Sequence, residues 1–327
     1  MISREQYSDV DEHIAGLSDW NMDMVQLSPG RSKSSQLKVS IHNYSYAFYS
    51  YKLKSLQTAE LIRPGVSFLI PLSNAAINFL EEKFNSPVIC CVPFGERVST
   101  ITPDNFSGVA VTISNQVLRQ GMGGQSQTPN FWPESVGNTF YSLTPLQLTK
   151  LQSILIEIGE RLDSVDDIGL EELHWLKTFS EDRLMPLIFA IMANQSSRNR
   201  KLRPLVFRSA LTMIHKNIDS PLSIAEISQK LGVSTRNLQY LFSHHLGMPP
   251  KTFIMSARLN VARKRLRYSR LGRGKVSDIA NSLDFWHMGG FSKEFKKLFH
   301  QTPSDILRKE KELAIEAPNT VELNLID

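Results

Sequence analysis

Four side chains between Arg236 and Ser243 have the types and the spacing to read a base sequence. Arg236, Gln239, Tyr240 and Ser243 recur at i, i+3, i+4 and i+7, which puts them on one face of a helix. An arginine can hold both acceptors of a guanine edge, and a glutamine can pair with adenine in the same two-point manner. Tyr240 can stack, meet a thymine methyl or hydrogen-bond a phosphate. Leu238, Leu241, Phe242 and Leu246 form the opposite, inward stripe. Ser234, just ahead of them, is a residue type that caps helix N-termini, and it joins the expected DNA-facing set.

The same arrangement occurs a second time. SIAEISQKLGVSTRNLQYLFSHHLGMPP, from Ser223 to Pro250, is echoed by VSDIANSLDFWHMGGFSKEFKKLFHQTP, from Val276 to Pro303. Ile227, Leu231 and Val233 match Ile279, Leu283 and Phe285 at an offset of 52; Leu238, Phe242, Leu246 and Pro250 match Phe291, Phe295, Phe299 and Pro303 at 53. Each copy has the pattern of a helix-turn-helix, whose second helix fits the major groove. In the second copy Phe291, Phe295, Leu298 and Phe299 face inward, while Ser292, Lys293, Lys296 and Lys297 face outward. Ammonium groups are point charges, so this face is expected to position phosphates more than to read bases. His287 and Met288 stand at the entrance of that helix, and Gly289 and Gly290 leave its first turn bare. His287, beside Trp286, reads equally well as a packed cap or as a base contact.

The elements that must hold these faces follow from the pattern around them. Thr252 to about Arg267 can form one continuous helix between the units, ended by Gly272 and Gly274. The basic run ARKRLRYSRLGRGK, from Ala262 to Lys275, is expected near the DNA backbone. Net charge is +5 overall but unevenly spread. Residues 1–194 hold 14 Lys and Arg against 21 Asp and Glu, and residues 195–311 hold 23 against 7. An acidic body joined to a basic helical region suits a polyanion reader with a separate control module.

Between Leu37 and Ile113 the pattern changes to short apolar runs such as VSFLIPL, PVICCVPF and GVAVTI, separated by turn signals. Thr144-Pro145 then marks a helix start, and Leu148, Leu151, Leu155, Ile158 and Leu162 follow at helical spacing. The expected fold is α+β. An N-terminal antiparallel β barrel or double-sheet domain with following helices precedes an all-α domain of two helix-turn-helix units joined by a linker helix. The expected boundaries are 1–194 for a sensor or dimerisation domain with helices at 144–194, then 195–206 for a linker. Residues 207–308 form the DNA-binding domain, with units at about 223–244 and 276–299, and 309–327 an acidic tail. A fragment of residues 195–311 is expected to fold and bind DNA by itself.

Other classes find little support. Residues 1–170 contain two histidines, His13 and His42, too few for the His-rich metal site of a barrel oxygenase. Phosphate loop, nucleophile elbow and zinc-type cysteine spacing are absent from the sequence, so neither catalysis nor a cofactor or metal is expected. Cys90 and Cys91 are adjacent, and on a strand they would point to opposite faces. The polar, acidic N-terminus and a longest apolar stretch of only Leu184–Ala193 lead us to expect a cytoplasmic protein with no membrane partner. Phe48, Phe68, Phe79 and Phe94 are read first as β-domain core and only second as a ligand pocket.

RLNVARKRL after the first unit, and FKKLF followed by TPSDIL at the end, resemble the AraC/XylS family of bacterial transcription regulators over roughly Phe207 to Arg308. The resemblance implies seven helices in two helix-turn-helix subdomains held apart by a rigid linker helix. It places Arg236, Gln239 and Tyr240 at base-facing sites of the first recognition helix, and Met288, Gly289, Ser292 and Lys293 at those of the second. It further implies an activator on double-stranded DNA, touching two adjacent major-groove segments, with a small-molecule effector, RNA polymerase and a second copy of the chain as further partners. An effector-independent regulator or interaction module is the alternative reading, and a barrel enzyme a remote one. The family often has glycine where this chain has Asp284 and His300, and arginine where it has Leu307. QLSPGR at Gln26–Arg31 and FWHMGGF at Phe285–Phe291 resemble the subgroup of ethanolamine-operon regulators.

Overall fold

The computed structural model describes residues 2–73, 78–80, 84, 86–121, 137–193, 206–221, 223–268 and 275–316. Residues 195–205 of the expected linker, 122–136 of the loop that precedes Asn138, Gly272 and Gly274, and the end of the tail lie outside them. The chain divides into two compact units: Met1–Met24 with Ser32–Leu205, and Val25–Arg31 with Val206–Asp327.

The first unit opens with β1 (Ile2–Tyr7), α1 (Val10–Gly16) and β2 (Trp20–Gln26, whose last two residues belong to the second unit). It continues with β3 (Ser34–Ile41), β4 (Tyr44–Tyr51), β5 (Ser55–Leu61), β6 (Val66–Pro71), β7 (Asn78–Phe79), β8 (Val88–Pro93), β9 (Arg97–Thr102) and β10 (Phe106–Ile113). Then come α2 (Asn115–Gly121), β11 (Thr139–Ser142), α3 (Pro145–Asp163), α4 (Leu170–Phe179) and α5 (Met185–Ala193).

Seven strands form one sheet in the order β1-β3-β4-β10-β6-β8-β11, and four form another in the order β2-β5-β9-β7. The double-sheet alternative is therefore the one realised, and among the described residues the sheets do not close into a barrel. The large sheet is buried on both faces. Val39, Phe68, Cys91 and Val111 pack with Leu151, Leu155 and Ile158 of α3 and with Leu184 and Ile188, while Leu69, Cys90 and Ala110 join Trp20, Ala59 and Val98 on the other face. That double burial explains why VSFLIPL and PVICCVPF read as unbroken apolar runs rather than alternating ones. It also sends Cys90 and Cys91 to opposite cores. Burial alone pushes the Cys91 thiol up to about 12.

Thr144 caps α3 through a reciprocal pair: its hydroxyl accepts from the Gln147 N–H, and the Gln147 side chain accepts from the Thr144 N–H. Between α4 and α5 the helix widens into a π-turn, Ser180–Leu184, just ahead of Pro186, which has no N–H to give to the ladder.

The second unit contains α6 (Val206–Lys216), α7 (Ile224–Lys230), α8 (Thr235–Leu246), α9 (Pro250–Tyr268), α10 (Val276–Asn281), α11 (Met288–Phe299) and α12 (Pro303–Glu316). α12 thus runs on through the start of the expected tail. Leu259, Ala262 and Leu266 of α9 share a core with Phe291, Phe295 and Phe299 of α11. Asp284 and His300, two of the positions where the family that the sequence resembles favours glycine, have φ of 66° and 53°. Glycine reaches that left-handed region without the Cβ clash that costs other residues about 1–2 kcal/mol.

The two positions should respond oppositely to substitution. His300 is exposed and serves as the C-cap of α11, so His300→Gly should stabilise the protein by about 0.5–1 kcal/mol. The Asp284 carboxylate accepts from Arg258 Nη1 at 2.8 Å and from Trp286 Nε1 at 2.9 Å, so Asp284→Gly should cost about 1–3 kcal/mol. Thermal melts of the two variants should move in opposite directions.

Candidate nucleic-acid interface

In the first helix-turn-helix, α7 begins with a capping box in which Ser223 Oγ accepts from the Glu226 N–H at 3.1 Å and Glu226 Oε2 accepts from the Ser223 N–H at 2.8 Å. The turn needs a left-handed residue, supplied by Gly232 with φ 65°, and closes through a bond from the Val233 N–H to Ser228 O at 3.0 Å. Ser234 then caps α8, its hydroxyl accepting from the Asn237 N–H at 3.1 Å. The oxygen that could touch DNA is therefore also the one that organises the start of the helix. Leu238, Phe242 and Leu246 are buried, with the Phe242 ring between those of Phe207 and Phe253 at 5.0 and 5.6 Å.

This packing leaves Arg236, Gln239, Tyr240 and Ser243 together on the exposed face of α8. Tyr240 is 62% exposed and its ring stacks on that of His244, 5.6 Å away and tilted by 15°. His244 lies outside the face that the sequence pattern marks. Its signal was the i+4 spacing from Tyr240, which makes helix neighbours of the two rings.

In the second unit His287 occupies the same place as Ser234, at the N-cap, but makes no side-chain cap bond and is exposed. It is therefore a surface cap residue rather than a packed one. At the offset of 53, Gly289, Ser292, Lys293 and Lys296 fall where α8 has Arg236, Gln239, Tyr240 and Ser243. Lys293 and Lys296 are exposed and Ser292 is half-buried, while Met288 packs partly against the core. A Cβ at Gly289 would meet nothing within 4 Å, so the glycine is not demanded by packing; it leaves the helix surface open to close approach. Lys297 is exposed with its ammonium 3.9 Å from Glu294.

Trp286, which no sequence pattern marks as a contact, is 72% exposed, and its indole N–H is held by Asp284. That bond, aided by the Arg258 guanidinium, holds the Asp284 carboxyl below its usual range. A large flat ring is thereby fixed beside the bare first turn of α11.

One central helix connects the heads, and two of its arginines tie them together. Arg258 donates to Ile218 O at 3.3 Å and Ser220 O at 2.8 Å ahead of α7, and to Asp284 in the second unit at 2.8 Å. Two helical turns further on, Arg265 reaches Asp219 at 2.6 Å and Ser282 at 2.9 Å. Arg263 is buried to 3% exposure with its guanidinium over the Phe299 ring at 5.2 Å. The expectation that this basic run lies along DNA therefore fails for Arg263 and Arg265, because the helix has protein on both of the sides they face. Lys264 is exposed.

A central helix flanked by two matching helix-turn-helix units defines a double-headed domain of the kind that reads DNA. A helix-turn-helix domain family matches residues 227–309. The chain is 33% identical over 160 residues to the "Probable thc operon regulatory protein" of Rhodococcus erythropolis, covering 48% of each chain. It is 30% identical over 105 residues to the XylDLEGF operon transcriptional activator 1 of Pseudomonas putida, covering 32% of each. These matches span less than half the length of the curated relatives. A solved transcriptional regulator with an AraC-type DNA-binding domain, from Chromobacterium violaceum, is 28% identical over 33% of this chain and 93% of its own, with a TM-score of 0.30. Among the described residues no helix is long and apolar enough to cross a membrane.

Proposed function

We propose that this chain is a sequence-specific DNA-binding transcription regulator of the AraC/XylS type, an activator and not an enzyme. The observation that carries the reading is the pair of matching exposed faces, Arg236–Ser243 and Gly289–Lys296, on two helices packed on one central helix. Arg236 and Gln239 read base edges, Tyr240 and Ser243 support them, and Ser234 caps the helix at the groove. Met288, Gly289 and Ser292 allow close approach of α11, His287 at its N-cap is left as a base contact, and Lys293, Lys296 and Lys297 hold phosphates. The ethanolamine-operon-like subgroup is the finer assignment supported by QLSPGR and FWHMGGF.

Binding titrations on a selected site separate these roles. Arg236→Ala or Gln239→Ala should cost about 1–3 kcal/mol on the preferred sequence and relax preference at particular base pairs. Lys296→Ala should weaken all sequences alike and lower the slope of log K against log salt by about one unit. Equal weakening of specific and random DNA by Arg236→Ala would remove it from the readers.

Effector sensing rests on a different observation. Between the two sheets lies a narrow, mainly apolar cavity of about 50 Å³, lined by Trp20, Gln36, Tyr49, Tyr51, Gln57 and Phe106 among others. Pockets that hold small molecules measure roughly 300–1,000 Å³, so an effector here would have to part the sheets. None of Phe48, Phe68, Phe79 and Phe94 lines it: Phe68 and Phe79 are core, Phe48 packs half-buried against that core, and Phe94 is exposed. RNA polymerase and a second copy of the chain complete the partners of this reading.

A further inference from the structure

The helical unit contains a segment from far outside its sequence range, Val25–Arg31. Gln26 is its anchor and is 3% exposed. The Gln26 backbone N–H donates to Asn260 Oδ1 at 3.0 Å, and Asn260 Nδ2 donates back to Gln26 O at 3.2 Å. A side-chain amide on α9 thus pairs with the backbone as a neighbouring strand would. Asn260, itself buried, is fixed for this by a second bond from Nδ2 to Ser256 O at 2.8 Å. The Gln26 side chain does two further things. Its Nε2 donates to Ser28 O at 2.9 Å and Gly30 O at 3.0 Å, closing the segment into a tight loop, and it reaches Leu298 O at 3.0 Å. The Gly30 N–H also donates to Leu298 O, at 2.9 Å, and Gly30 has a φ of 144°, a conformation that favours glycine.

Leu298 lies in the last turn of the second recognition helix. The last four carbonyls of a helix have no partner within it and must find one elsewhere. Here the Leu298 carbonyl is met by two donors from a segment about 270 residues earlier, itself clamped to α9. Those bonds fix α11 along its own axis relative to the central helix. A rotation or slide of α11 would break them in a buried setting, where unmade polar pairs are costly.

We propose that Gln26 is a positioning residue for the second reading head: together with Asn260 it straps Val25–Arg31 across the C-terminal end of α11. The base discrimination that Met288, Gly289 and Ser292 give α11 by close approach then depends on a glutamine at the end of β2. This rests on the DNA-binding reading above, and the test keeps the two apart.

The experiment uses the full-length chain and a selected DNA site. Wild-type affinity is measured against every single base-pair change in both contacted segments, where a mismatch typically weakens binding by about 5- to 150-fold. Absence of any sequence preference in the wild type would sink the functional reading itself, and a wild-type preference confined to the segment under α8 would overturn the proposal alone. Gln26→Met keeps the volume of the side chain and loses its donors. It should flatten the penalties in the segment under α11 to less than about two-fold while leaving those under α8 as in the wild type. Asn260→Ala should produce the same one-sided flattening, and the double variant should add little, since the two residues act as one unit. A general loss of fold would lower both segments together. Equal weakening of both, or a wild-type pattern in Gln26→Met, overturns the proposal. If either variant fails to fold, hydrogen exchange on the wild type decides. The Gln26 and Gly30 amides should be protected as strongly as the middle of α11, and fast exchange there overturns the strap.

Discussion

Inserting about five base pairs between the two contacted DNA segments should lower specific affinity on the order of a hundredfold or more, and inserting a full turn of about 10 base pairs should not restore it. The first insertion moves one segment to the far side of the duplex. The second returns it to the same face but about 34 Å further away. A flexible connection would follow the longer spacing; this one should not. α9 is continuous from Pro250 to Tyr268, and Arg258 and Arg265 fasten the stretch ahead of α7 on one side and residues Ser282 and Asp284 on the other. Gel-shift titrations with the native, half-turn and full-turn sites check this. Full recovery with the full-turn site would mean that the heads move independently, and unchanged affinity with both insertions would mean that one head alone engages.

Arg258→Ala should be among the most damaging polar substitutions in the helical unit, costing about 3–5 kcal/mol of stability. Its side chain is 12% exposed and makes bonds to Ile218 O, Ser220 O and Asp284. Truncation leaves two carbonyls and a carboxylate without the donor around which they are arranged. Arg258→Lys keeps the charge but cannot reach three directions at once, so it should recover only part of the loss. The sign with pH follows from Asp284, whose carboxyl is held low by Trp286 and Arg258. A carboxyl depressed in the folded state adds stability at pH values above its unfolded range, and that contribution disappears as pH falls through the folded value. The gap between wild type and Arg258→Ala should therefore narrow in acid. Chemical denaturation at pH 7 and pH 3 measures both effects, and a gap that widens in acid would contradict the assignment.

The double-headed domain is legible in the sequence because its signals are local. Leu238, Phe242 and Leu246 bury one face of α8, and the exposed quartet follows by default from the 3.6-residue period. Thr144-Pro145 and Ser234 announce their helices through chemistry confined to one turn. β1, α1 and β2 precede the first legible strand, because Val10 and Trp20 stand alone among polar residues and the buried run Met24–Leu27 shows neither a helical nor an alternating period. The roles of Arg258, Arg263 and Arg265 could not be separated from those of exposed cations. Period and charge are alike for an arginine that meets DNA and one that meets a carbonyl 40 residues away. Gln26 and Asn260 stand inside the motifs QLSPGR and RLNVARKRL, but nothing in the sequence joins the two, since an amide pairing across 234 residues obeys no periodicity.

That pairing bears on how the protein can be made and remade. Residues 25–31 leave the ribosome early, yet their acceptors on α9 and α11 are translated more than two hundred residues later. Contacts so distant in the chain form slowly, so the second head should be the last part to reach its final shape. A gene fusion that grafts residues 195–311 onto a foreign sensing domain inherits both reading helices but leaves the strap behind. Shuffling of this domain between regulators therefore has a natural cut point that does not coincide with the linker. A chimera should carry the Val25–Arg31 segment along, or evolve a substitute for the two donors at Leu298.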